Sequence, residues 1–214
     1  MSSFLLIGLG KLGINVAEKL SELNQQVMVV DKDESRVDAA MPFATKGQIG
    51  DSTNKDFLSS LGVNHFDICM VTIGDDFQSS LETVSLLQEL GAKKVVAYAV
   101  SDVHAKFLRR NGADDVVQPS KQIAEWIAAR YTSSHVLSFV DMDNECSIFE
   151  LKIPKTWVGR TIQEVDVRRN YGINIIALKQ NDKLNMMLSG ETKLEDSATM
   201  LIIGTMEAMR KLVK

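Results

Sequence analysis

The sequence predicts an α/β protein in which a doubly wound parallel sheet is followed by a small α+β C-terminal domain. Three observations carry this prediction. Through residue 118, short apolar runs alternate with longer amphipathic stretches, and strand–helix alternation of this kind is typical of a parallel sheet with helices on both faces. Three of the helical stretches end on a glycine, with a strand a few residues later. After Pro119 the alternation stops, and strands follow one another with few helices between them.

The apolar runs and the amphipathic stretches define the elements of the first part. The predicted strands are Phe4–Leu9, Val27–Asp31, Phe43–Ile49, Phe66–Ile73, Lys94–Val100 and Asp115–Gln118. The predicted helices lie near 12–24, 34–41, 53–61, 76–90 and 102–111. In the first helix, Leu12, Val16 and Leu20 share one face, as expected for a helix that packs on a sheet.

The glycines that end three helical stretches are Gly62, Gly91 and Gly112. Each is followed within a few residues by a predicted strand. A left-handed glycine just past the last helical residue is the common way to end a helix before the chain turns into a sheet. We therefore expect all three to adopt the left-handed conformation.

The part after Pro119 is predicted to form a separate α+β domain. A helix is expected at Gln122–Tyr131, and "CSIFELKIP" alternates as a half-buried strand does. Further strands are expected at Ile173–Lys179, Leu184–Leu188 and Thr199–Gly204, and a last helix at 206–213. Asn181-Asp182 has the chemistry of a hairpin turn. We place the domain boundary near residue 135, which gives domains 1–134 and 135–214.

Composition excludes several classes of protein. The 214 residues are 45% hydrophobic and 24% charged, with a formal net charge of -4, and this balance argues against a nucleic-acid-binding surface. No apolar run approaches the roughly 18–20 residues that cross a bilayer, and the first residues do not resemble a secretory signal. Cys69 and Cys146 are expected to be reduced core thiols in a cytoplasmic protein.

The first strand is followed by Gly8, Gly10 and Gly13 in a G-x-G-x-x-G pattern that opens the first helix. This placement is typical of the dinucleotide-binding loop of Rossmann-like sheets. Gly8 would make the tight turn, Gly10 would let a diphosphate touch the backbone, and Gly13 would let the helix pack closely. The helix N-terminus offers free N–H groups and a positive dipole end to phosphate.

A carboxylate stands where the sugar of a bound nucleotide would lie. Asp31 ends the second strand at close to the spacing of about 20 residues that is usual for a residue holding ribose hydroxyls. Lys32, Asp33 and Glu34 follow it. This acidic neighbourhood is expected to repel a 2′-phosphate, which favours NAD or an adenosine nucleotide over NADP.

Other strand ends should line the same crevice, because ligands of open parallel sheets bind at the carboxyl ends of the strands. Asp51 and Ser52 could meet the adenine or its ribose, and Ile73 with Gly74 could border the sugar or phosphates. Other roles are open for Ser52 and for the residues next to these positions. Ser52 or Thr53 could cap the next helix, Asp76 could cap the helix that follows it, and Asp75 with Asp76 could be part of a metal site.

No catalytic constellation is evident in the sequence. His65, His104 and His135 are scattered, and each is expected to lie at the surface or at a domain boundary. The chain contains no G-x-S-x-G elbow, no P-loop and no C-x-x-C pair. A dehydrogenase needs an acid or base beside the nicotinamide. We therefore expect a protein that binds a nucleotide without chemistry, and keep a small NAD-dependent oxidoreductase as the alternative.

Several segments together resemble the RCK family, the regulators of potassium conductance, and among them the Ktr- and Trk-type regulatory subunits with TrkA-N and TrkA-C domains. They are "IGLGKLGINVAEKL", "VVDKDESRV", "GDST", "VTIGDDFQSS", "NGADDVVQPSKQIA" and "VGRTIQEVDVRRNYGINIIALKQNDKL". The resemblance implies a homo-oligomer, with dimers assembling to an octameric cytoplasmic ring at the inner face of the membrane, under a potassium channel or transporter. NAD(H) or ATP/ADP would bind the N-terminal domain and control the pore.

The resemblance also implies particular residues. The nucleotide site would be formed by Gly8, Gly10, Lys11, Leu12, Gly13, Asp31, Lys32, Asp51, Ser52, Ile73 and Gly74. Lys11 replaces an arginine that is usual in Ktr-type relatives and lacks its two-pronged geometry. Ser120 stands where relatives often have an acidic residue, which weakens the case for ATP with a divalent cation.

Some relatives bind cyclic di-AMP between two C-terminal domains. The corresponding residues are Ile162, Asp166, Val167 and Arg168. Asp166 and Arg168 would meet an adenine edge and a phosphate. The alternative is a helix with ordinary surface charges.

Ring formation needs apolar surface beyond the core. Phe107, Leu108, Trp126 and Ile127 are candidates, and core packing is the alternative for each of them.

Overall fold

The computed structural model of the chain describes residues 1–132, 136–141 and 146–212. The chain divides into two compact units, Met1–Ser120 and Lys121–Lys214. The division falls at the beginning of a helix that the sequence analysis assigned to the first domain. The boundary near residue 135 stays a prediction. Among the described residues, no helix has the length and apolar character that crossing a bilayer requires.

The first unit is the predicted doubly wound α/β fold. Its strands are β1 (Ser3–Ile7), β2 (Gln26–Asp31), β3 (Lys46–Ile49), β4 (Ile68–Val71), β5 (Val95–Tyr98) and β6 (Asp115–Val117). They form one parallel sheet in the order β3-β2-β1-β4-β5-β6. The chain therefore reverses its direction of travel across the sheet between β1 and β4. This switch point is where ligands of open α/β sheets bind.

The helices of this unit are α1 (Lys11–Glu22), α2 (Glu34–Ala40), α3 (Lys55–Ser60), α4 (Phe77–Glu89) and α5 (Asp102–Arg110). Two clusters of buried side chains hold them to the sheet. One contains Leu5, Ile7, Val71 and Leu87, and the other contains Leu6, Val29 and Ala17. Alternate residues of β1 thus enter different cores, because successive strand side chains point to opposite faces.

Glycines end three helices of the first unit, as predicted. Gly62, Gly91 and Gly112 have φ angles of 69°, 77° and 106°. This conformation carries no steric penalty for glycine and is strained for residues with a Cβ. The predicted strand that began at Phe43 is shorter in the structure, because Met41–Phe43 forms a 3-10 turn around Pro42 and β3 begins at Lys46.

The second unit begins within the first turn of α6 (Pro119–Thr132). It continues as β7 (Val136–Asp141), β8 (Ser147–Lys152), α7 (Ile162–Val165), α8 (Val167–Tyr171), β9 (Asn174–Gln180), β10 (Lys183–Asn185), β11 (Thr199–Gly204) and α9 (Met206–Leu212). The strands form an antiparallel sheet in the order β10-β9-β11-β8-β7. The predicted α+β character is confirmed. β7 was not predicted from the sequence, and β10 ends three residues before the predicted strand Leu184–Leu188 does.

Two local predictions in this unit are confirmed. Phe149, Leu151 and Ile153 are buried in one core, while the residues between them face outward. Asn181 and Asp182 join β9 to β10 with φ angles of 50° and 58°, as a tight two-residue hairpin turn requires.

Cys69 and Cys146 do not form a disulfide. Cys69 is buried in the first unit, and burial raises the pKa of its thiol to about 12, so that it is inert near neutral pH. Cys146 is half-buried, so the prediction of a core position is confirmed for Cys69 alone.

Candidate nucleotide-binding site

A crevice opens at the carboxyl ends of β1, β2, β3 and β4, with a cavity volume of about 250 Å³. Most of the predicted site residues line it: Gly8, Gly10, Asp31, Lys32, Asp51, Ser52, Ile73 and Gly74. Lys11, Leu12 and Gly13 do not line it. Residues from four loops thus meet at the switch point of the sheet, as the sequence analysis expected.

Gly8 and Gly13 are required by the protein's own packing. Gly8 has a φ of 92°, and a Cβ added there would lie 3.0 Å from the backbone nitrogen of Ile73. A Cβ at Gly13 would lie 2.1 Å from the carbonyl oxygen of Gly8. The third glycine of the motif therefore lets α1 begin directly against the turn that the first one makes.

Gly10 is different, because the protein itself does not require a glycine there. It is the residue before α1, with φ -65° and ψ -174°, and a Cβ would meet nothing within 4 Å. It offers no side-chain cap to α1, and the first turn contains no acidic residue. Gly10, which lines the crevice, is thus followed directly by the N-terminus of α1, whose positive dipole end is not compensated by an acidic side chain of the first turn.

Asp31 connects the end of β2 to the glycine loop. Its carboxylate is 7% exposed and accepts hydrogen bonds from the backbone N–H of Leu9 at 2.6 Å and of Asp33 at 3.0 Å. A carboxylate oxygen can accept more than one hydrogen bond. Asp31 can therefore hold the loop and still accept from ribose hydroxyls.

A cation that was not predicted from the sequence lies beside this carboxylate. Arg36, in the first turn of α2, lines the crevice with its guanidinium 3.8 Å from the Asp31 carboxylate and 3.7 Å from that of Asp33. The neighbourhood of Asp31 is thus less acidic than the residues directly after it suggested. The exclusion of a 2′-phosphate stays a prediction.

Ser52 and Asp51 have different surroundings. The hydroxyl of Ser52 is buried and lies 2.8 Å from that of Thr83, within hydrogen-bond distance. Asp51 is exposed and accepts from Thr53, chiefly from its backbone N–H, which lowers the pKa of the Asp51 carboxyl. The alternative that Ser52 or Thr53 caps α3 is wrong, because the side chain of Asn54 caps that helix.

In the loop after β4, the residue predicted as a possible helix cap does cap the next helix. Asp76 caps α4, accepting from the backbone N–H of Ser79 at 3.0 Å and from its hydroxyl at 2.7 Å. The cap alternative for Asp76 is therefore confirmed. Within the described ranges, no group of three or more histidine, cysteine, aspartate or glutamate side chains is placed to hold a metal ion, and the Asp75–Asp76 metal alternative has no further ligands there.

Thr72, which was not predicted as a site residue, holds the two loops of the switch point together. Its backbone N–H donates to the carbonyl of Ile7 at 2.8 Å, and its hydroxyl donates to the carbonyl of Gly8. The side chain is nearly buried at the wall of the crevice. The signal available in the sequence was a polar residue near the end of the apolar run Phe66–Ile73.

The histidines are distributed differently from the prediction. His65 is exposed, as expected. His104 is fully buried, contrary to the prediction, and its ring packs against Phe77 at 4.7 Å between centroids. Burial lowers the pKa of the His104 imidazole. His135 lies outside the described residues.

The residues compared with a cyclic di-AMP site lie at the junction of α7 and α8. Asp166 has a left-handed backbone with φ 47° between the two helices, and its carboxylate is 3.7 Å from Nε of Arg169. Ile162 is half-buried and Arg168 is exposed, while Val167 is buried in the core. A ligand could reach the side chains of Asp166 and Arg168. The side chain of Val167 is buried and could not contact it.

Of the four candidates for apolar surface, three are exposed. Phe107 and Trp126 are each 40% exposed and Ile127 is 45% exposed. Leu108 is fully buried in the core between α5 and the sheet, so its selection as a surface residue was wrong.

Comparison with known proteins decides the family. The TrkA-N domain family matches residues 4–119, and the TrkA-C domain family matches residues 147–214. The chain belongs to the RCK family of Ktr/Trk type. It is 33% identical to the Ktr system potassium uptake protein C of Bacillus subtilis over 211 residues, covering 99% of this chain and 96% of that protein. It is 31% identical to the Ktr system potassium uptake protein A of Bacillus subtilis, covering 94% and 90%.

Solved RCK structures share the fold. The chain superposes on the GsuK channel bound to NAD with a TM-score of 0.72 and 19% identity, covering 100% of this chain and 39% of that one. The crystal structure of the GsuK RCK domain superposes with a TM-score of 0.67 and 20% identity, covering 99% and 47%. This RCK chain thus spans less than half of those chains, and at this identity the likeness concerns the fold.

Proposed function

We propose that this RCK chain is the cytosolic, gating-ring subunit of a potassium uptake channel or transporter, controlled by NAD(H) or ATP/ADP in its first unit. The observation that carries the proposal is the open position at Gly10. Packing explains the other two glycines of the motif, whereas a Cβ at Gly10 would enter empty space beside the uncapped first turn of α1. Space of this kind at a helix N-terminus fits a phosphate.

The crevice fits the rest of an adenine nucleotide. A diphosphate at Gly10 would bring its ribose to Asp31 and Lys32, and the adenine to Asp51 and Ser52. Asp31 would accept from the ribose hydroxyls, while Ile73 and Gly74 would border the phosphates. No side chain of the crevice is a histidine or cysteine, and the carboxylates beside the phosphate end are helix-capping or exposed. These features support binding without turnover.

The names of the relatives support the proposed role in potassium uptake and the proposed membrane partner. Both Ktr proteins from Bacillus subtilis are potassium uptake proteins, and they match this chain over nearly their whole lengths. We therefore expect a membrane potassium transporter as the partner, with this chain at the inner face of the membrane. A nucleotide can change the state of such an assembly only if it binds the two states with different affinity.

Isothermal titration of the full chain with NAD, NADH, ATP and ADP tests the proposal. Adenine nucleotides should bind at one site per chain, and incubation with NADH should consume no NADH. Absence of binding by all four nucleotides, or steady oxidation of NADH by a small substrate, would contradict it.

The homo-oligomeric ring, built from dimers, is tested by light scattering after size exclusion. The particle should be several times the mass of one chain, and Trp126→Asp together with Ile127→Asp should reduce that mass. Leu23→Asp, at another exposed apolar position, is the matched control and should leave it unchanged. A monomeric unmodified chain would rule out the ring.

A cyclic di-AMP-sensing regulator remains a second candidate, favoured by the accessibility of Asp166 and Arg168 at the α7–α8 junction. Adding cyclic di-AMP to the titration separates the two. Binding that Arg168→Ala abolishes and Gly10→Ala leaves intact would support this second site.

A further inference from the structure

His104, in the first turn of α5, is a fully buried histidine whose hydrogen-bonding capacity is mostly unused. Its Nδ1 accepts from the backbone N–H of Val100 at 3.4 Å, which is long for a hydrogen bond. Its Nε2 is buried and has no hydrogen-bond partner among the described residues. Buried polar atoms are nearly always paired, so an unpaired one calls for a physical explanation.

The contact around this imidazole is apolar. Its ring packs against Phe77 at 4.7 Å between centroids, and Phe77 packs in turn against Phe107 at 6.0 Å. Phe77 is the first residue of α4, so these rings attach the first turn of α4 to α5. One turn further along α4, Ser80 is fully buried as well, and its hydroxyl also has no partner in the described part of the chain. The contact at Phe77 and His104 therefore rests on packing.

Within the described ranges, none of the charged residues around α4 and α5 pairs with the His104 ring. The titratable and charged residues of α4 with its cap, β5, α5 and β6 are Asp76, Glu82, Glu89, Tyr98, Asp102, Lys106, Arg109, Arg110 and Asp115. Asp76, Glu82 and Asp102 accept hydrogen bonds from other side chains. Burial is accordingly the cause that lowers the pKa of the His104 imidazole.

Protonation of His104 would oppose this packing in two ways. An imidazolium carries a hydrogen on both nitrogens, so its Nδ1–H would point at the Val100 N–H and could no longer accept from it. It would also place an unpaired charge in a buried site, which is disfavoured until the charge reaches water or a partner. The Phe77 ring attracts a cation through its face, but it offers no oxygen acceptor to the two N–H groups. The charged form therefore favours a state in which the ring is open to water.

We propose that His104 is a proton-sensitive switch that closes the contact between α4 and α5 when it is neutral and opens it when it is protonated. Phe77 directly follows the loop of residues 74–76, which lines the crevice. Opening of the contact therefore also releases the end of that loop. The inference concerns the helix contact and does not depend on whether the crevice binds a nucleotide.

The direction of the pKa change sets the pH range of the switch. Burial holds the pKa of His104 below its ordinary value of 6.5, so the open state binds a proton more readily than the closed state. The closed contact is thus fully stable above about pH 6.5 and loses stability as the pH falls from there towards the folded-state pKa. Between pH 7.5 and pH 5.5, the equilibrium constant for opening should rise by up to about tenfold.

The experiment is hydrogen–deuterium exchange of the full chain at pH 7.5, 6.5 and 5.5, with the rates corrected for their intrinsic pH dependence. Fragments covering α4 and α5 should lose protection by up to about tenfold over this range, while α1 keeps its protection. His104→Asn retains an acceptor near the position of Nδ1 and cannot be protonated, so its α4 and α5 should not respond to pH. His65→Asn, at an exposed histidine, is the matched control and should respond as the unmodified chain does.

Two results would overturn the inference. One is protection of α4 and α5 in the unmodified chain that falls no more than that of α1 between pH 7.5 and pH 5.5. The other is the same pH response in His104→Asn as in the unmodified chain, which would assign the proton to another group. If His104→Asn does not fold, His104→Gln takes its place and must likewise show no response. Since no nucleotide is added, this inference and the proposed function fail separately.

Discussion

The carboxylate of Asp31, at the end of β2, accepts a 2.6 Å hydrogen bond from the backbone N–H of Leu9 in the glycine loop. One residue thus fixes the loop that would hold phosphates and presents the acceptor that would hold the sugar. If the proposed function holds, folding and ligand binding are coupled through this side chain, because the same carboxylate serves both.

Asp31→Ala should lower both stability and nucleotide affinity. Removal of a buried acceptor leaves the Leu9 N–H unpaired, which costs about 1–3 kcal/mol of unfolding free energy. Adenine-nucleotide affinity should fall at least about tenfold, since the ribose hydroxyls also lose a charged acceptor. Urea unfolding and isothermal titration measure the two effects. Asp33→Ala, which removes the cap of α2, is the control: it should lower stability and leave affinity nearly unchanged. Unchanged nucleotide binding in Asp31→Ala would refute the ribose assignment.

Gly10→Ala and Gly13→Ala should separate ligand binding from folding. At Gly10 the φ is -65° and a Cβ has free space, so stability should change by less than about 1 kcal/mol while nucleotide binding weakens. At Gly13 the Cβ would lie 2.1 Å from the Gly8 carbonyl oxygen, so α1 must shift and the loss should exceed about 2 kcal/mol. Thermal unfolding with and without NADH compares them. Equal stability of the two variants would show that the glycine loop is packed differently.

Thr72→Val should destabilise the first unit although it preserves the shape of the side chain. The hydroxyl donates to the carbonyl of Gly8, and valine leaves this oxygen with no side-chain donor. We expect a loss of about 1–2 kcal/mol in urea unfolding. Thr72→Ser retains the hydroxyl and should recover part of this loss. A Thr72→Val protein as stable as the unmodified chain would show that the hydrogen bond is dispensable.

Acid should weaken a contact between β1 and the segment before β4. Asp67 accepts from the backbone N–H and hydroxyl of Ser3 and from Lys93, and the Ser3 backbone hydrogen bond is the largest cause of its lowered pKa. A carboxyl with a lowered folded-state pKa contributes stability above its unfolded pKa of about 3.9 and loses it as the pH falls through the folded-state value. Asp67→Asn should therefore melt at a lower temperature than the unmodified chain at pH 7, and the difference should shrink below about pH 4. A difference that stays constant from pH 7 to pH 3 would contradict this.

Much of the fold could be predicted because the conformational preferences of the residues match the backbone that the tertiary structure requires. Gly62, Gly91 and Gly112 end helices, and Asn181-Asp182 makes a hairpin, since positive φ angles are a property of the residue and its immediate neighbours. Strand β7 was missed because no glycine or proline in the sequence marks its beginning after the predicted helix Gln122–Tyr131. Whether Leu108 and His104 are buried also depends on which face of α5 meets the sheet.

The residues that line the crevice were predicted where a motif orders them along the chain, and they were missed where distant residues complete the crevice. The sequence by itself determined the glycine turn, the carboxylate at the end of β2 and the α/β class, because backbone conformation and hydrophobic period are local. Only the tertiary structure decided that Thr72 holds the Gly8 turn, that Arg36 pairs with Asp31, and that Gly10 is the one motif glycine with open space at its Cβ. These relationships join residues on different strands and helices, and the distances between them are set by how the sheet packs its elements.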